Sequence, residues 1–186
     1  MLYAQVHLTL PAWVHALAPA GSVYASDEDK MRLAVELSRR NVDARSGGPF
    51  GAAVFDAQHR LVAVGVNRVE PHTCSVAHAE MMAYMTAQQR LQRFRLNEDA
   101  PGVTLATSSQ PCCMCYGATF WAGIDTLLIG ARAEDVMTLT QFDEGPLPSD
   151  WKGELEKRGI TVRRDLLRED ACAVLKHYTD SAGRMY

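Results

Sequence analysis

The residues with chemical reach cluster in two short segments. One is Ala77-His78-Ala79-Glu80, and the other is Pro111-Cys112-Cys113-Met114-Cys115. Two cysteines at i and i+3 on the first turn of a helix share one face, so the Cys112 and Cys115 sulfurs can reach one tetrahedral metal ion. The free N–H groups of a helix start favour thiolate over thiol, and Pro111 fixes the entry of the chain without wasting a donor. The same geometry turns Cys113 away by more than a quarter turn, and it is expected to be a packed, inert thiol. His78 supplies a third ligand. Three protein ligands suit zinc with a fourth position open to water, the catalytic pattern, whereas a structural zinc takes four. His72 and Cys74 stand near enough in sequence to leave that structural alternative open. Glu80 sits two residues beyond His78, where a frayed first turn would let it face a water in the open position and act as base and then acid.

These segments need elements to carry them. Ser26 is a helix N-cap followed by Asp27, Glu28 and Asp29, which suit the helix dipole. Met31, Ala34, Val35, Leu37 and Val42 recur at helical spacing until Gly47, Gly48 and Pro49. Residues 50–55 and 61–69 read as a strand hairpin, followed by a loop at 71–75 and a helix over 77–92. Residues 103–107 form a strand, and a helix runs from Pro111 to Ala122. Then come a strand at 126–130, a helix at 133–139 and a loop at 141–150. A helix at 151–158, a strand at 160–165 and a helix at 168–178 complete the chain. A hairpin followed by alternating strands and helices predicts an α/β fold, a mixed sheet with helices on both faces.

The 186 residues are 47% hydrophobic, enough for one core, which places a single domain at 26–186 behind an N-terminal arm at 1–25. The arm lacks a positive start, and His7, Pro11 and His15 interrupt its apolar run, so it does not read as a secretory signal. It is expected to pack on the domain or on a partner subunit. No apolar run is long enough to cross a membrane. The formal net charge of −3 and the lack of a basic run argue against a nucleic-acid partner. Five cysteines, three of them within four positions, indicate metal or catalytic chemistry in a reducing compartment, the cytoplasm, rather than a disulfide framework.

His-x-Glu followed, after a helix and a strand, by Pro-Cys-x-x-Cys is similar to the signature of zinc deaminases that act on cytosine or adenine. At these residues the chain resembles the cytidine deaminase superfamily. Segments 47–51, 65–68, 109–115, 117–121 and 142–145 resemble those of bacterial guanine deaminases in order and spacing, and the likeness runs over residues 27 to 186. It implies a three-layer α/β/α sandwich with a five-stranded sheet, and a homodimer with active sites near the subunit interface. It assigns His78, Cys112 and Cys115 to zinc and Glu80 to proton transfer. Asn67 would hydrogen-bond a purine ring, with Phe50 and Phe142 near the base. Ala79 and Cys112 would turn backbone N–H groups to the substrate. Glu144 would recognise the purine, with or without a part in proton transfer, and Tyr186 would close over it. Gln110 departs from the family, in which Glu commonly precedes the proline. The implied reaction is hydrolytic deamination of a free purine base, guanine to xanthine plus ammonia. Other small amino-heterocycles (ammeline, a pterin, cytosine, a nucleoside) and adenosine in tRNA remain as alternative substrates, and a zinc-stabilised binding module without turnover is the non-enzymatic alternative.

Overall fold

The computed structural model describes residues 5–186, and residues 1–4 of the expected arm lie outside them. Within the arm a single turn, α1 (Val14–Leu17), buries Val14 against the body of the same chain. Contacts along its length hold the arm down. Trp13 Nε1 donates to Ser46 Oγ at 3.2 Å, Thr9 N–H donates to His72 Nε2 at 3.1 Å, and Val23 forms an antiparallel bridge to Arg60. The described part of the arm thus packs on its own chain.

The first long helix, α2 (Asp27–Asp43), starts as its sequence requires: the Ser26 hydroxyl accepts from Asp29 N–H at 3.0 Å. Five strands follow, β1 (Gly51–Phe55), β2 (Leu61–Val66), β3 (Thr104–Ser109), β4 (Thr126–Ala131) and β5 (Thr161–Arg163). They form one mixed sheet in the order β2-β1-β3-β4-β5. β1 runs antiparallel to both neighbours, and β3, β4 and β5 run parallel to one another. The remaining helices are α3 (Val69–His72), α4 (Ala79–Leu91), α5 (Cys113–Ala122), α6 (Ala133–Leu139), α7 (Trp151–Glu156) and α8 (Arg168–Asp180).

Both faces of the sheet are covered, which is why β1 and β4 read as near-continuous apolar runs rather than alternating ones. Ala53, Phe55, Val66, Ala106 and Leu128 pack against α2, α6 and α8. Ala52, Val54, Leu105, Leu127 and Ile129 pack on the other face against α4, α5 and α7. Helix α4 lies close to β2 because Gly65 has no side chain: a Cβ there would stand 2.0 Å from Ala79 O. That close approach brings the start of α4, with His78 and Glu80, down onto the sheet.

The expected order of elements holds, with α1 and α3 added. β2 ends at Val66 rather than Val69, because Asn67 turns the chain by accepting the Val69 N–H on its own side-chain oxygen at 3.2 Å. The turn starts α3 in place of the expected strand end, and Thr73 in the left-handed conformation stops it. β3 continues to Ser109, two residues beyond the expected end, and β5 is shorter than expected.

Candidate active site

His78 and Cys112 occupy equivalent positions. Each is the extended N-cap residue of a helix, α4 and α5 respectively, and Cys115 follows one turn into α5. The ligating atoms of His78, Cys112 and Cys115 all lie within 4.8 Å of one another, and Cys112 Sγ is 3.5 Å from His78 Nδ1. Ligands of a tetrahedral zinc stand about 3.3–3.8 Å apart, so the nitrogen and two sulfurs fit such an ion with little movement. The two thiols divide their titration. A hydrogen bond from Cys115 stabilises the Cys112 thiolate and, against burial, brings its pKa down to about 4, while that bond and burial push Cys115 up. Burial opposes charge on His78, but its hydrogen bond to Cys112 and the nearby Glu80 carboxylate outweigh this and raise its pKa. His72 and Cys74 are not in the cluster, and the His72 ring is engaged by the arm. Among the described residues the set is therefore three protein ligands rather than four.

The extended backbone at His78 resolves how His78 and Glu80 share a direction: only Glu80 is inside the helix. Glu80 is buried. Its Oε1 accepts from Thr107 Oγ1 at 3.1 Å, and its Oε2 accepts from the Cys115 thiol at 3.5 Å. Burial, then the Cys112 charge, raise its pKa. Thr107, on β3, is a contact that sequence reasoning missed, and a threonine in a strand carries no signal of it. Tyr84 and Thr119 were missed as well. Their hydroxyls meet at 2.9 Å, and Thr119 donates to the Cys115 carbonyl at 2.8 Å, bracing the buried cysteine.

Cys113 departs from expectation. It points away from the cluster, but it is exposed rather than packed, because the first turn of α5 lies at the protein surface on that side. Its backbone matters more than its thiol: Cys113 N–H donates to Glu144 O at 2.9 Å, tying the loop after α6 to the metal-site helix.

A cavity of about 420 Å³ opens over the cluster. Phe50, Asn67, His78, Glu80, Cys112, Phe142, Glu144 and Tyr186 all line it. Ala79 is fully buried behind it, on the first turn of α4, where N–H groups have no partner within the helix. The Phe142 ring lies 5.4 Å from Phe50 and 4.8 Å from Tyr186, giving an aromatic wall. The Asn67 amide oxygen accepts from Val69 N–H, and its NH2 makes no hydrogen bond among the described residues. Glu144 is 9% exposed, and burial together with the Cys112 and Glu80 charges raises its pKa to about 8. An Asp143 side-chain bond to Gly145 N–H at 2.9 Å shapes its turn. Cys74, Gln110, and the Glu70–Arg184 pair at 3.5 Å also line the cavity. Sequence reasoning weighed Cys74 only as a further metal ligand, noted Gln110 only as a departure from the family, and did not single out the pair.

A mixed α/β/α sandwich with a His/Cys/Cys cluster and a buried carboxylate at the floor of a cavity defines an enzyme class, one that activates water at a metal. Residues 24–131 match the cytidine and deoxycytidylate deaminase zinc-binding region, and the chain belongs to that family. A guanine deaminase from Bacillus subtilis is 31% identical over 76% of this chain and 87% of its own length. The solved structure of a guanine deaminase from Nitrosomonas europaea is 43% identical and superposes with a TM-score of 0.91, covering 97% of this chain and 99% of that one. A further solved protein, in complex with 2,6-diaminopurine, is 44% identical with a TM-score of 0.90 over 97% of this chain and 95% of that one. The chain is thus an aminohydrolase of a zinc-binding family. Among the described residues no helix is long and apolar enough to cross a membrane.

Proposed function

We propose that the protein hydrolyses guanine to xanthine and ammonia, with zinc held by His78, Cys112 and Cys115. The observation that carries this reading is the placement of Asn67 and Glu144 over the metal cluster in one aromatic-walled cavity. Likeness to guanine deaminases from two bacteria supports it. Bound zinc would supply Lewis-acid activation of water near neutral pH.

The chain's own groups do the rest. Phe50, Phe142 and Tyr186 hold the flat ring by its faces and exclude water. The Asn67 amide donates to a ring acceptor, and backbone N–H groups at Ala79 and Cys112 face the substrate. The Glu144 carboxyl reads N–H donors on the ring edge, which guanine presents. Glu80 accepts a proton from the attacking water and passes it to the departing amine. A C–O bond forms at the amino-bearing carbon, its C–N bond breaks, and ammonia leaves. Glu144 serves here as a recognition group that can also relay protons. Five free cysteines suit a reducing compartment, and we place the protein in the cytoplasm. We take it to act as a homodimer, with Phe94 and Trp121 as exposed apolar surface for a partner.

Ammonia release from guanine, cytosine, ammeline, a pterin and tRNA tests the reading. Guanine should give the highest kcat/KM, and release from tRNA alone would sink the proposal. Glu80→Gln should retain stoichiometric zinc and lose activity by about 10²–10⁴-fold. A variant as active as the parent would remove Glu80 from the chemistry.

A further inference from the structure

We propose that Asn41 is a positioning residue for base recognition, acting through the side chain of Asn67; the inference rests on the guanine-binding reading above. Asn41 is in the last turn of α2, fully buried at a place where an apolar residue would pack without needing partners. Its amide is fully engaged. Nδ2 donates to Gly48 O at 2.8 Å and to Asn67 O at 2.9 Å, and Oδ1 accepts from Ser46 Oγ at 2.8 Å.

Those two carbonyls belong to a closed ring of hydrogen bonds. Phe50 N–H donates to Gly48 O at 2.9 Å, and Asn67 N–H donates to Phe50 O at 3.1 Å. Asn41 joins the free ends, Gly48 O and Asn67 O, and so locks the entry to β1 against the exit from β2. The packing is tight enough to demand glycine at position 47, where a Cβ would lie 1.9 Å from Asn67 O and 2.8 Å from Asn41 Nδ2. Both residues joined by the ring, Phe50 and Asn67, line the cavity. Asn41 itself does not line the cavity, so any effect it has on a ligand is transmitted. Removing the Asn41 amide leaves two carbonyls without this donor and frees Asn67 to shift. The metal cluster, on α4 and α5, makes none of these bonds.

The test is a double-mutant cycle read by binding rather than turnover. Calorimetry would follow 2,6-diaminopurine binding to zinc-loaded protein carrying Glu80→Gln. Asn41→Ala should weaken binding about tenfold or more, and Asn41→Ser, which keeps one donor, should fall between it and the parent. Bound zinc should stay stoichiometric in both. With Asn67→Ala also present, the Asn41→Ala change should cost less than about twofold, because its route to the ligand is gone. Weakening that persists undiminished without Asn67, or unchanged binding in a folded Asn41→Ala protein, overturns the inference while leaving the guanine reading intact. A parent that binds no purine overturns both. Loss of zinc from both Asn41 variants would make Asn41 a folding residue and end the proposal.

Discussion

His78, Cys112 and Cys115 stand at the starts of two helices, whereas Asn67, Phe142, Glu144 and Tyr186 stand on connections and on the tail. The helix starts are pressed onto the sheet, and their direction follows from backbone geometry that any sequence with the same caps would share. The connections take their shape from particular side chains: Asn41 beneath Asn67, the Thr140 hydroxyl accepting from Phe142 N–H at 3.1 Å, and Asp143 at the Glu144 turn. On the proposed reading, reaction chemistry rests on the helix starts and recognition on a layer of local bonds, and the two meet where Cys113 N–H donates to Glu144 O. Such a division lets one scaffold serve several amino-heterocycles.

The widest separation between the two regions should come from Cys115→Ala. It should abolish both stoichiometric zinc and activity, and metal analysis of purified protein checks this; full zinc occupancy would show that two ligands suffice. Asn67→Ala should leave zinc untouched and lower kcat/KM for guanine by about 10- to 100-fold, mainly through KM. Steady-state kinetics with metal analysis would break the comparison if zinc fell as well.

A smaller effect should join the regions through pH. Glu144 has a pKa of about 8 in the folded, metal-free protein, against an ordinary value of 4.5. Between these values the folded chain keeps a proton that the unfolded chain has released, so folding stability is lost as pH rises through that window. Thermal melts of metal-free protein between about pH 5 and pH 8 should show Tm falling with pH, and Glu144→Gln should flatten part of the slope. An equal slope in the variant would assign the effect to other groups. The smallest effect belongs to the arm: His72→Ala removes the bond to Thr9 at an exposed position and should change unfolding free energy by about 0.5 kcal/mol or less in denaturant titrations.

The metal site was legible because its information is local. A His-x-Glu pair and an i, i+3 cysteine pair specify their directions once each is placed at a helix start, and local signals such as the Ser26 cap and the proline before Cys112 place the helices. The helix and strand order was legible for the same reason. What escaped depends on contacts between residues distant in sequence. Thr107 meets Glu80 across the interface between sheet and α4, and Asn41 meets Asn67 across 26 positions. Neither residue type nor spacing marks them. The turn at Asn67 was hidden because Val69 follows close on the apolar run that ends at Val66, and a side-chain bond ended a strand that periodicity would extend. Cys113 was read from helix geometry alone, which gives a direction but not what lies there.

The bond from Cys113 N–H to Glu144 O means that one helical turn belongs to both regions. If Glu144 reads the base as proposed, ordering that turn around an ion would also order the reading loop, and a bound base would in turn steady the turn that grips the ion. The two ligands therefore share a coupling free energy, and reciprocity requires that each raise the affinity of the other by the same factor. A chelator competing for the zinc would then meet a more tenacious protein when purine is present than when it is absent.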